Sequence, residues 1–204
     1  MGLKLYYSIG ACSLSPHIAL REAGLDFTLE KVDLKSKQTG SGGDIRRENP
    51  KGMVPVLVLD NGEVLTEGPA IVQWIADQKP DSGLAPPCGT MARYHLMEWL
   101  NFVTSELHKT YSPLFRAETP AETRTERHAY LRKRYAIIEK QLQGRPYLFG
   151  DSFTVADAYL FTITNWAGTV KFDLSSFPNV LAFQARVAAR PQVQAAMKAE
   201  GLIK

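Results

Sequence analysis

The stretch Tyr7-Ser8-Ile9-Gly10-Ala11-Cys12-Ser13-Leu14-Ser15-Pro16-His17 follows an alternating apolar segment and precedes an amphipathic one. We interpret it as the end of a strand, a turn of small residues, and the beginning of a helix with the Cys12 thiol at its N-terminus. Helix N-termini stabilise negative charge through their exposed N–H groups and the helix dipole, which favours a thiolate. A single cysteine is also commonly an inert small apolar residue, so the position leaves both roles open.

The segments around this turn predict a strand–helix–strand unit. Residues 3–7 alternate between apolar and polar side chains, as a half-buried strand does. Residues 14–23 have a helical pattern, and Gly24 stands where helices commonly end. Residues 27–34 indicate a second strand. Two strands that are joined through a helix are expected to be parallel.

The next part of the chain predicts two further strands and a helix. Residues 36–53 are polar and contain several glycines, which indicates a loop with one short helix. Apolar runs at 54–59 and 63–66 flank Asp60-Asn61-Gly62, a strong hairpin signal. Gly68-Pro69 then begin a helix that extends to about residue 77, because proline suits the first helical position.

The chain is predicted to divide into an α/β domain and an all-helical domain. Residues 1–80 form the βαβ–ββα part, and the proline- and glycine-containing segment 81–90 is the expected linker. Residues 91–204 lack strand signals of comparable strength. Helical periodicity is present there at residues 91–115, 121–142, 154–170 and 178–198.

Composition argues against several classes of function. The chain has 204 residues and a formal net charge of only +3, with basic and acidic residues interspersed, so nucleic acid is not an expected partner. No apolar run is long enough to cross a bilayer, and no secretory signal is recognisable. The two cysteines and four histidines lack the spacing of a disulfide scaffold or a zinc site. We expect a cytoplasmic protein without a metal.

Two segments combine a structural interpretation with a possible binding role. Pro55 lies in a strand-like run. Proline is compatible with an edge strand or with the first residue of a strand. Alternatively, the Val54–Pro55 bond is cis, which leaves the backbone groups of Val54 available to an extended ligand. The segment Glu67-Gly68-Pro69 is compatible with a plain helix cap. Alternatively, the N–H groups of the helix N-terminus bind a carboxylate of a ligand, and Glu67 accepts a hydrogen bond from an ammonium group.

The helix expected at 94–109 has two different faces. One face is apolar, whereas the opposite face repeats Glu98, Asn101, Ser105 and His108. Such a polar stripe is typical of a cleft or a subunit interface. His108 is a candidate acid, base or hydrogen-bond donor, and it is equally compatible with a plain surface histidine.

A later segment has a structural interpretation. Phe153-Thr154-Val155-Ala156-Asp157 has the form of a capping box with Asp157 in the place of glutamate. The nearby Tyr159 and Phe161 are interpreted as core residues, as are Trp99 and Trp166.

Taken together, several segments resemble the bacterial beta-class glutathione transferases over essentially the whole chain. The resemblance implies a thioredoxin-like N-terminal domain, a helical-bundle C-terminal domain and a homodimer. The matching segments are Gly10-Ala11-Cys12-Ser13-Leu14, Asn49-Pro50-Lys51-Gly52 with Val54-Pro55, Leu65-Thr66-Glu67-Gly68, Trp99-Leu100-Asn101-Phe102, Glu106-Leu107-His108-Lys109, Phe153 to Phe161, and the tail Glu200-Gly201-Leu202-Ile203-Lys204.

The resemblance also implies roles for individual residues. Cys12 faces the sulfur of glutathione and can form a mixed disulfide with it, and His108 approaches the same region from the helical domain. Val54, before a cis Pro55, pairs with the cysteinyl backbone of glutathione. The remaining implied contacts are Glu67 and Gly68 with the γ-glutamyl end, Lys37 with a carboxylate, and Asn101, Ser105 and Glu106 with glutathione, partly across the dimer interface.

Two positions depart from the family pattern. Ile9 stands where proline is expected, which affects the rigidity of the loop before Cys12 and the shape of the electrophile pocket. Gly68 stands where some relatives have serine, which removes one hydroxyl contact.

The leading hypothesis is conjugation of glutathione to small hydrophobic electrophiles in detoxification. Two alternatives stay open: disulfide exchange or reductive dehalogenation through a Cys12 mixed disulfide, and non-enzymatic carriage of hydrophobic ligands. By position, Tyr111, Phe115 and Trp166 are candidates for lining the electrophile pocket.

Overall fold

A four-stranded sheet organises the first part of the chain in the computed structural model, which describes residues 2–204. Strand β1 (Leu3–Tyr7) pairs in parallel with β2 (Phe27–Lys31) and antiparallel with β3 (Val56–Val58), and β3 pairs antiparallel with β4 (Val64–Thr66). The strand order is β2-β1-β3-β4. This confirms the parallel unit, the hairpin and the thioredoxin-like arrangement expected from the sequence.

A row of leucines crosses the sheet and marks its helix-covered core. Leu5 stands opposite Leu29 on one side and Leu57 on the other, and Leu57 stands opposite Leu65. The two central leucines, Leu5 and Leu57, are fully buried because neighbouring strands cover them on both sides. Burial of each such side chain contributes roughly 1.5–3 kcal/mol to stability.

The second strand ends earlier than the predicted residue 34. Val32 still donates its N–H to the Tyr7 carbonyl at 2.7 Å, but Asp33 then accepts from the N–H groups of Lys35 and Ser36. This carboxylate closes a turn, so the chain leaves the sheet there.

Two helices and one short helical turn complete the sheet unit. Helix α1 (Leu14–Glu22) packs against α2 (Gly68–Gln78), which has Pro69 in its first turn as predicted. The loop between β2 and β3 contains the expected short helix, a 3₁₀ turn at Ile45–Arg47. Ile45 is fully buried and anchors this loop in a cluster with core residues of the sheet.

The helical part begins with α3 (Met91–Phe102), whose first turn is capped by the Thr90 side chain. The chain continues as a π-helical segment (Val103–His108), a short α4 (Lys109–Tyr111) and a 3₁₀ turn (Ser112–Phe115). The helices that follow are α5 (Ala121–Gln141), α6 (Val155–Thr164), α7 (Trp166–Thr169), α8 (Pro178–Ala188) and α9 (Pro191–Ala199).

Two helices predicted as continuous are each interrupted. The segment 154–170 divides at Asn165 into α6 and α7. The segment 178–198 divides at Arg190, which has an extended backbone (φ −68°, ψ 132°) between α8 and α9. The second break has a direct cause, because a residue before proline disfavours the helical conformation and Pro191 follows.

The residues form two compact units whose division differs from the predicted one. The first contains residues up to Ala85 together with Arg190–Lys204, and the second contains Pro86–Ala189. The boundary near residue 85 lies inside the predicted linker 81–90, but the tail was expected in the helical domain. The tail belongs with the sheet unit because α9 packs on α1 and Arg190 pairs with Glu22 at 2.7 Å.

The helices within residues 2–204 include none with the length and apolar character needed to span a membrane.

Candidate functional site

Cys12 lies in the turn between β1 and α1, two residues before the helix begins. Its side chain is half-buried, and its Sγ donates to the carbonyl of Val54 at 3.3 Å. The Cys12 carbonyl accepts from the N–H of Ser15 at 3.2 Å, which joins the residue to the first turn of α1. The structure therefore brings together two predicted site residues at a helix N-terminus, where negative charge is favoured.

The turn that carries Cys12 is held by the buried side chain of Ser13. The Ser13 hydroxyl accepts from the Ser8 N–H at 3.1 Å and donates to the Ser8 carbonyl at 3.2 Å. The same carbonyl accepts from Ala11 at 3.0 Å. Sequence reasoning did not assign this role, although a serine directly after the cysteine was the available signal.

A carboxylate from the end of the chain completes the support of this turn. Glu200 is 2% exposed; its Oε2 accepts from the Gly10 N–H at 3.0 Å and its Oε1 lies 2.9 Å from Nδ1 of His17. Arg21 donates to Nε2 of His17 at 2.9 Å. Because arginine only donates, Nε2 accepts, so Nδ1 has the proton and donates to Glu200.

The Val54–Pro55 peptide bond is cis, which selects one of the two sequence interpretations. Pro55 lies immediately before β3, whose first residue is Val56. The preceding loop is fixed by buried Asn49, whose side chain donates to the Met53 carbonyl at 2.9 Å and accepts from the Lys51 N–H at 3.1 Å. Asn49 thus sets the path of the chain into Val54.

Two lysines are associated with this loop: Lys51 is part of it, and Lys37 contacts its backbone. Lys37 has a positive φ of 67° and donates through Nζ to the Gly52 carbonyl at 2.9 Å. Lys51 donates to the Thr66 hydroxyl at 3.0 Å and forms an ion pair with Glu67. Lys51 was part of a matching motif, but the sequence analysis did not assign it a role.

Glu67 and Gly68 form the N-terminal end of α2. Glu67 is exposed and has a φ of 68°, a conformation that costs energy for a residue with a side chain and is concentrated at functional sites. Its side chain caps no helix N–H, contrary to the plain-cap interpretation. A Cβ at Gly68 would lie 3.9 Å from Pro55 Cγ, an ordinary contact, so space alone does not require glycine there.

In the helical unit, His108 lies at the end of the π-helical segment that extends α3. Such segments are rare and are frequently found at functional sites. The Nδ1 atom of His108 lies 2.7 Å from the hydroxyl of Tyr159. Its ring contacts Trp166 edge to face at a centroid distance of 4.9 Å. Tyr159 and Trp166, interpreted from the sequence as core residues, therefore orient the histidine.

Aromatic side chains form an apolar surface beside this histidine. Trp166 contacts Phe115 at 5.3 Å and Tyr111 at 6.0 Å, both edge to face. Phe115 is 47% exposed, whereas Tyr111 is fully buried. The three pocket candidates thus form one cluster, in which Phe115 reaches solvent and Tyr111 does not.

The other predicted residues of α3 and of the π-helical segment have different surroundings. Asn101 and Ser105 are exposed, and the Ser105 hydroxyl donates to the Asn101 carbonyl at 3.0 Å. Glu106 is half-buried; its Oε2 accepts from the Tyr130 hydroxyl at 2.5 Å and pairs with Arg134 Nε at 2.7 Å. The Glu106 carboxylate therefore already has two partners on α5.

Across residues 2–204, the structure contains no group of three or more His, Cys, Asp or Glu side chains that could hold a metal ion.

Comparison with known proteins places both parts of the chain in one family. Residues 10–78 match the glutathione S-transferase N-terminal domain, and residues 102–191 match the glutathione S-transferase C-terminal domain. Glutathione S-transferase GstA of Escherichia coli O157:H7 is 48% identical over 200 residues, which cover 98% of this chain and 100% of that protein.

Two solved structures are similar over the same length. A sphingomonad glutathione S-transferase complexed with glutathione is 47% identical, with a TM-score of 0.94, and the match covers 98% of this chain and 100% of that one. The bacterial beta class glutathione S-transferase of Sphingomonas chungbukensis is 46% identical, with the same TM-score and coverage. The chain therefore belongs to the glutathione S-transferase family.

Proposed function

We propose that this glutathione transferase conjugates glutathione to small hydrophobic electrophiles through chemistry at Cys12. The observation that carries the proposal is the Cys12 thiol, which is directed to the Val54 carbonyl beside the cis Pro55 and a helix N-terminus. Similar proteins named glutathione S-transferases, one of them complexed with glutathione, support this activity over redox turnover or simple carriage.

The sheet unit offers complementary groups for an extended tripeptide. The backbone of Val54 suits main-chain pairing with the cysteinyl residue, as in strand addition. Glu67 suits the ammonium of the γ-glutamyl end, while the N–H groups at the beginning of α2 suit its carboxylate. Lys37 and Lys51 bring positive charge to the loop beside Val54 and suit a carboxylate at the other end of the tripeptide.

The proposed chemistry forms one carbon–sulfur bond. The glutathione sulfur attacks as a thiolate, the electrophile loses its leaving group or accepts the electron pair, and the thiol proton passes to solvent. Cys12 lies opposite this sulfur. Its thiolate forms a mixed disulfide by attacking the disulfide bond of oxidised glutathione, which releases one molecule of reduced glutathione. His108 is the proposed partner for negative charge in the reaction, and Asn101, Ser105 and Glu106 are further proposed contacts. The aromatic cluster around Trp166 suits an apolar electrophile.

The proposal extends to assembly and location. A homodimer is supported by Met91, Tyr94 and Met97, large side chains that are exposed along α3. The cytoplasm suits a reaction that requires reduced glutathione and a reduced Cys12, and detoxification suits a hydrophobic electrophile. Sedimentation of the purified protein distinguishes a dimer from a monomer.

Product analysis tests the activity. The purified protein is incubated with glutathione and, separately, an activated aryl halide, a haloalkane and a small disulfide, and products are identified by mass spectrometry. The proposal expects a thioether adduct. Oxidised glutathione with a reduced substrate would instead identify redox turnover, and tight binding of the electrophile without any product would identify a carrier.

A further inference from the structure

Two residues of α5 hold the carboxylate of Glu106 by one of its two oxygens. We infer that Tyr130 and Arg134 are positioning residues that fix Oε2 of Glu106 and thereby leave Oε1 to accept from the ammonium of glutathione. The inference rests on the proposed function, which names Glu106 as a glutathione contact. It adds a helix on which the sequence analysis placed no site residue.

Tyr130 and Arg134 brace each other on one face of α5. They stand four residues apart, which brings two helical side chains together. The Arg134 guanidinium lies over the Tyr130 ring at 4.3 Å from its centroid, and Nη2 donates to the Tyr130 hydroxyl at 2.7 Å. Both side chains are half-buried, so this pair presents its remaining donors in a fixed arrangement.

Both residues converge on the same oxygen of Glu106. Arginine only donates, so the Tyr130 oxygen accepts from Arg134, and the single tyrosine proton is donated to Oε2 of Glu106 at 2.5 Å. Nε of Arg134 forms an ion pair with this oxygen at 2.7 Å. Charge-assisted contacts of this kind are strong and directional. They fix one end of the carboxylate against α5.

The second oxygen of Glu106 keeps its capacity to accept. Within residues 2–204, its contact is the Ser105 hydroxyl at 3.4 Å. That hydroxyl lies closer to the Asn101 carbonyl, at 3.0 Å, and its single proton points there. The Glu106 side chain is 29% exposed, and the Thr110 hydroxyl holds the Glu106 carbonyl at 2.8 Å. The residue is therefore anchored at its backbone and at Oε2, with an accepting oxygen to spare.

The chemistry of this oxygen selects the group that it recognises. A carboxylate oxygen only accepts, so its ligand must donate. The cationic donor of glutathione is the ammonium of its γ-glutamyl end, and a charged donor gives the stronger hydrogen bond to a carboxylate. An ammonium has three N–H donors, so a bond to Glu106 is compatible with the role proposed for Glu67.

The first test compares two variants that each remove one phenolic hydroxyl from α5. Tyr130→Phe is expected to raise the Kd for glutathione, measured by calorimetry, about three- to tenfold and to leave kcat at saturating glutathione within about twofold. Tyr135→Phe is the matched control, because its buried hydroxyl bonds Tyr111 and Thr164 instead. Its Kd should stay within about twofold of the wild type. Equal rises in Kd for both variants would overturn the inference.

A second pair of variants keeps the test decisive if Tyr130→Phe does not fold. Arg134→Met removes the guanidinium that braces Tyr130 and pairs with Glu106, so its Kd for glutathione is also expected to rise about three- to tenfold. Lys133→Met removes a positive charge from an exposed position of the same helix and should leave Kd within about twofold. An unchanged Kd in Arg134→Met would contradict the inference.

A double-mutant cycle shows whether Tyr130 acts through Glu106. In a Glu106→Gln background, Tyr130→Phe is expected to give no further rise in Kd for glutathione. A rise of equal size in both backgrounds would assign Tyr130 a purely structural role and exclude it from positioning.

A glutathione analogue without the α-amino group, glutaryl-cysteinylglycine, provides a measurement that a structural role would not change. The wild type and Tyr130→Phe should bind this analogue with Kd values within about twofold of each other, because the recognised group is missing. A difference as large as that seen with glutathione would overturn the inference. A wild type that binds glutathione and meets these expectations but forms no thioether would contradict the proposed function alone.

Discussion

At the scale of single residues, the proposed chemistry depends on groups that neighbouring backbone atoms hold in place. Cys12 meets the Val54 carbonyl because the turn before α1 and the loop before β3 converge, and Ser13 and Asn49 each fix one of these segments. Their local hydrogen bonds keep the two segments in one arrangement. Changes at Cys12 are therefore expected to alter chemistry more than stability.

Replacement of Cys12 tests its assigned role. Cys12→Ala is expected to leave the fold intact, because it removes one half-buried sulfur atom, and to abolish the mixed disulfide with glutathione. Mass spectrometry of the protein after treatment with oxidised glutathione checks this. Cys88→Ala, at an exposed cysteine, is the matched control and should still form the Cys12 adduct. Unchanged adduct formation and turnover in Cys12→Ala would remove Cys12 from the mechanism.

Lys51 is a predicted binding residue that the linear sequence did not single out. Lys51→Ala removes the partner of Glu67 and one positive charge near Val54, so KM for glutathione is expected to rise about three- to tenfold with kcat nearly constant. Initial rates at varied glutathione concentration give both constants. Lys35→Ala removes an exposed lysine with the same charge and should change neither; an equal rise in KM there would indicate a general charge effect.

At the scale of elements, candidate site residues such as Glu67 and His108 lie at the ends of helical segments. The sequence predicted the two faces of the helical region that runs from α3 to His108. On the apolar face, Leu96, Leu100, Val103 and Leu107 are buried and Trp99 is half-buried, whereas the polar stripe reaches solvent except at half-buried His108. It did not predict the π-helical segment that ends at His108. A change of helical turn depends on packing against neighbouring helices, and hydrophobic spacing does not encode it.

The capping box at the beginning of α6 connects this helix to the backbone at Leu148. Buried Asp157 accepts from the Thr154 N–H and hydroxyl at 2.8 Å and from the Leu148 N–H at 2.9 Å. Asp157→Ala leaves these buried donors without an acceptor and is expected to lower the free energy of unfolding by about 2–4 kcal/mol. Urea denaturation measures it. Asp173→Ala, at an exposed aspartate, should cost far less; equal losses would argue against the capping role.

The same carboxyl predicts a pH dependence of stability. Burial raises the pKa of Asp157 to about 6, against the opposing hydrogen bonds from Leu148 and Thr154. Between its ordinary pKa of 3.8 and about 6, the folded protein binds more protons at this site than the unfolded chain does. Its contribution to the unfolding free energy therefore falls as the pH rises through this range and becomes constant about one pH unit above the folded-state pKa.

Asp157→Asn isolates this contribution because it removes the titrating group with little change of shape. The difference in unfolding free energy between the wild type and Asp157→Asn should change between about pH 4 and about pH 7 and stay level from about pH 7 to about pH 8. Urea denaturation at each pH measures this difference. A difference that does not vary with pH would show that folding does not change the pKa of Asp157.

At the scale of the whole molecule, the end of the chain is part of the sheet unit. Glu200 connects the tail to Gly10 in the Cys12 turn and to His17 on α1, and all of these contacts are buried or half-buried. The domain boundary placed by composition missed this connection because the tail is helical and follows a helical segment. Its position depends on contacts with the opposite end of the sequence: the packing of α9 on α1, the Arg190–Glu22 pair and the Glu200 carboxylate.

Removing the charge at Glu200 tests this connection. Glu200→Gln replaces one of the two accepting carboxylate oxygens with an NH₂ group, which only donates. This group then faces either the Gly10 N–H or the His17 Nδ1–H, which are also donors. The free energy of unfolding is therefore expected to fall by about 2–4 kcal/mol. Chemical denaturation measures this loss. Lys198→Ala, at an exposed lysine of the same tail, should stay within about 0.5 kcal/mol of the wild type. Similar values for both variants would contradict the role of the buried carboxylate.

The sequence by itself determined the features that local patterns encode. Alternation and helical spacing predicted the strand–turn–helix around Cys12, the hairpin and the capping box at Thr154, because each depends on neighbouring residues. Only the tertiary structure decided the contacts between Cys12 and Val54, His108 and Tyr159, and Gly10 and Glu200, which are separated by 42, 51 and 190 positions. A linear pattern does not specify such pairs, since they depend on how packed elements bring distant donors and acceptors to hydrogen-bonding distance.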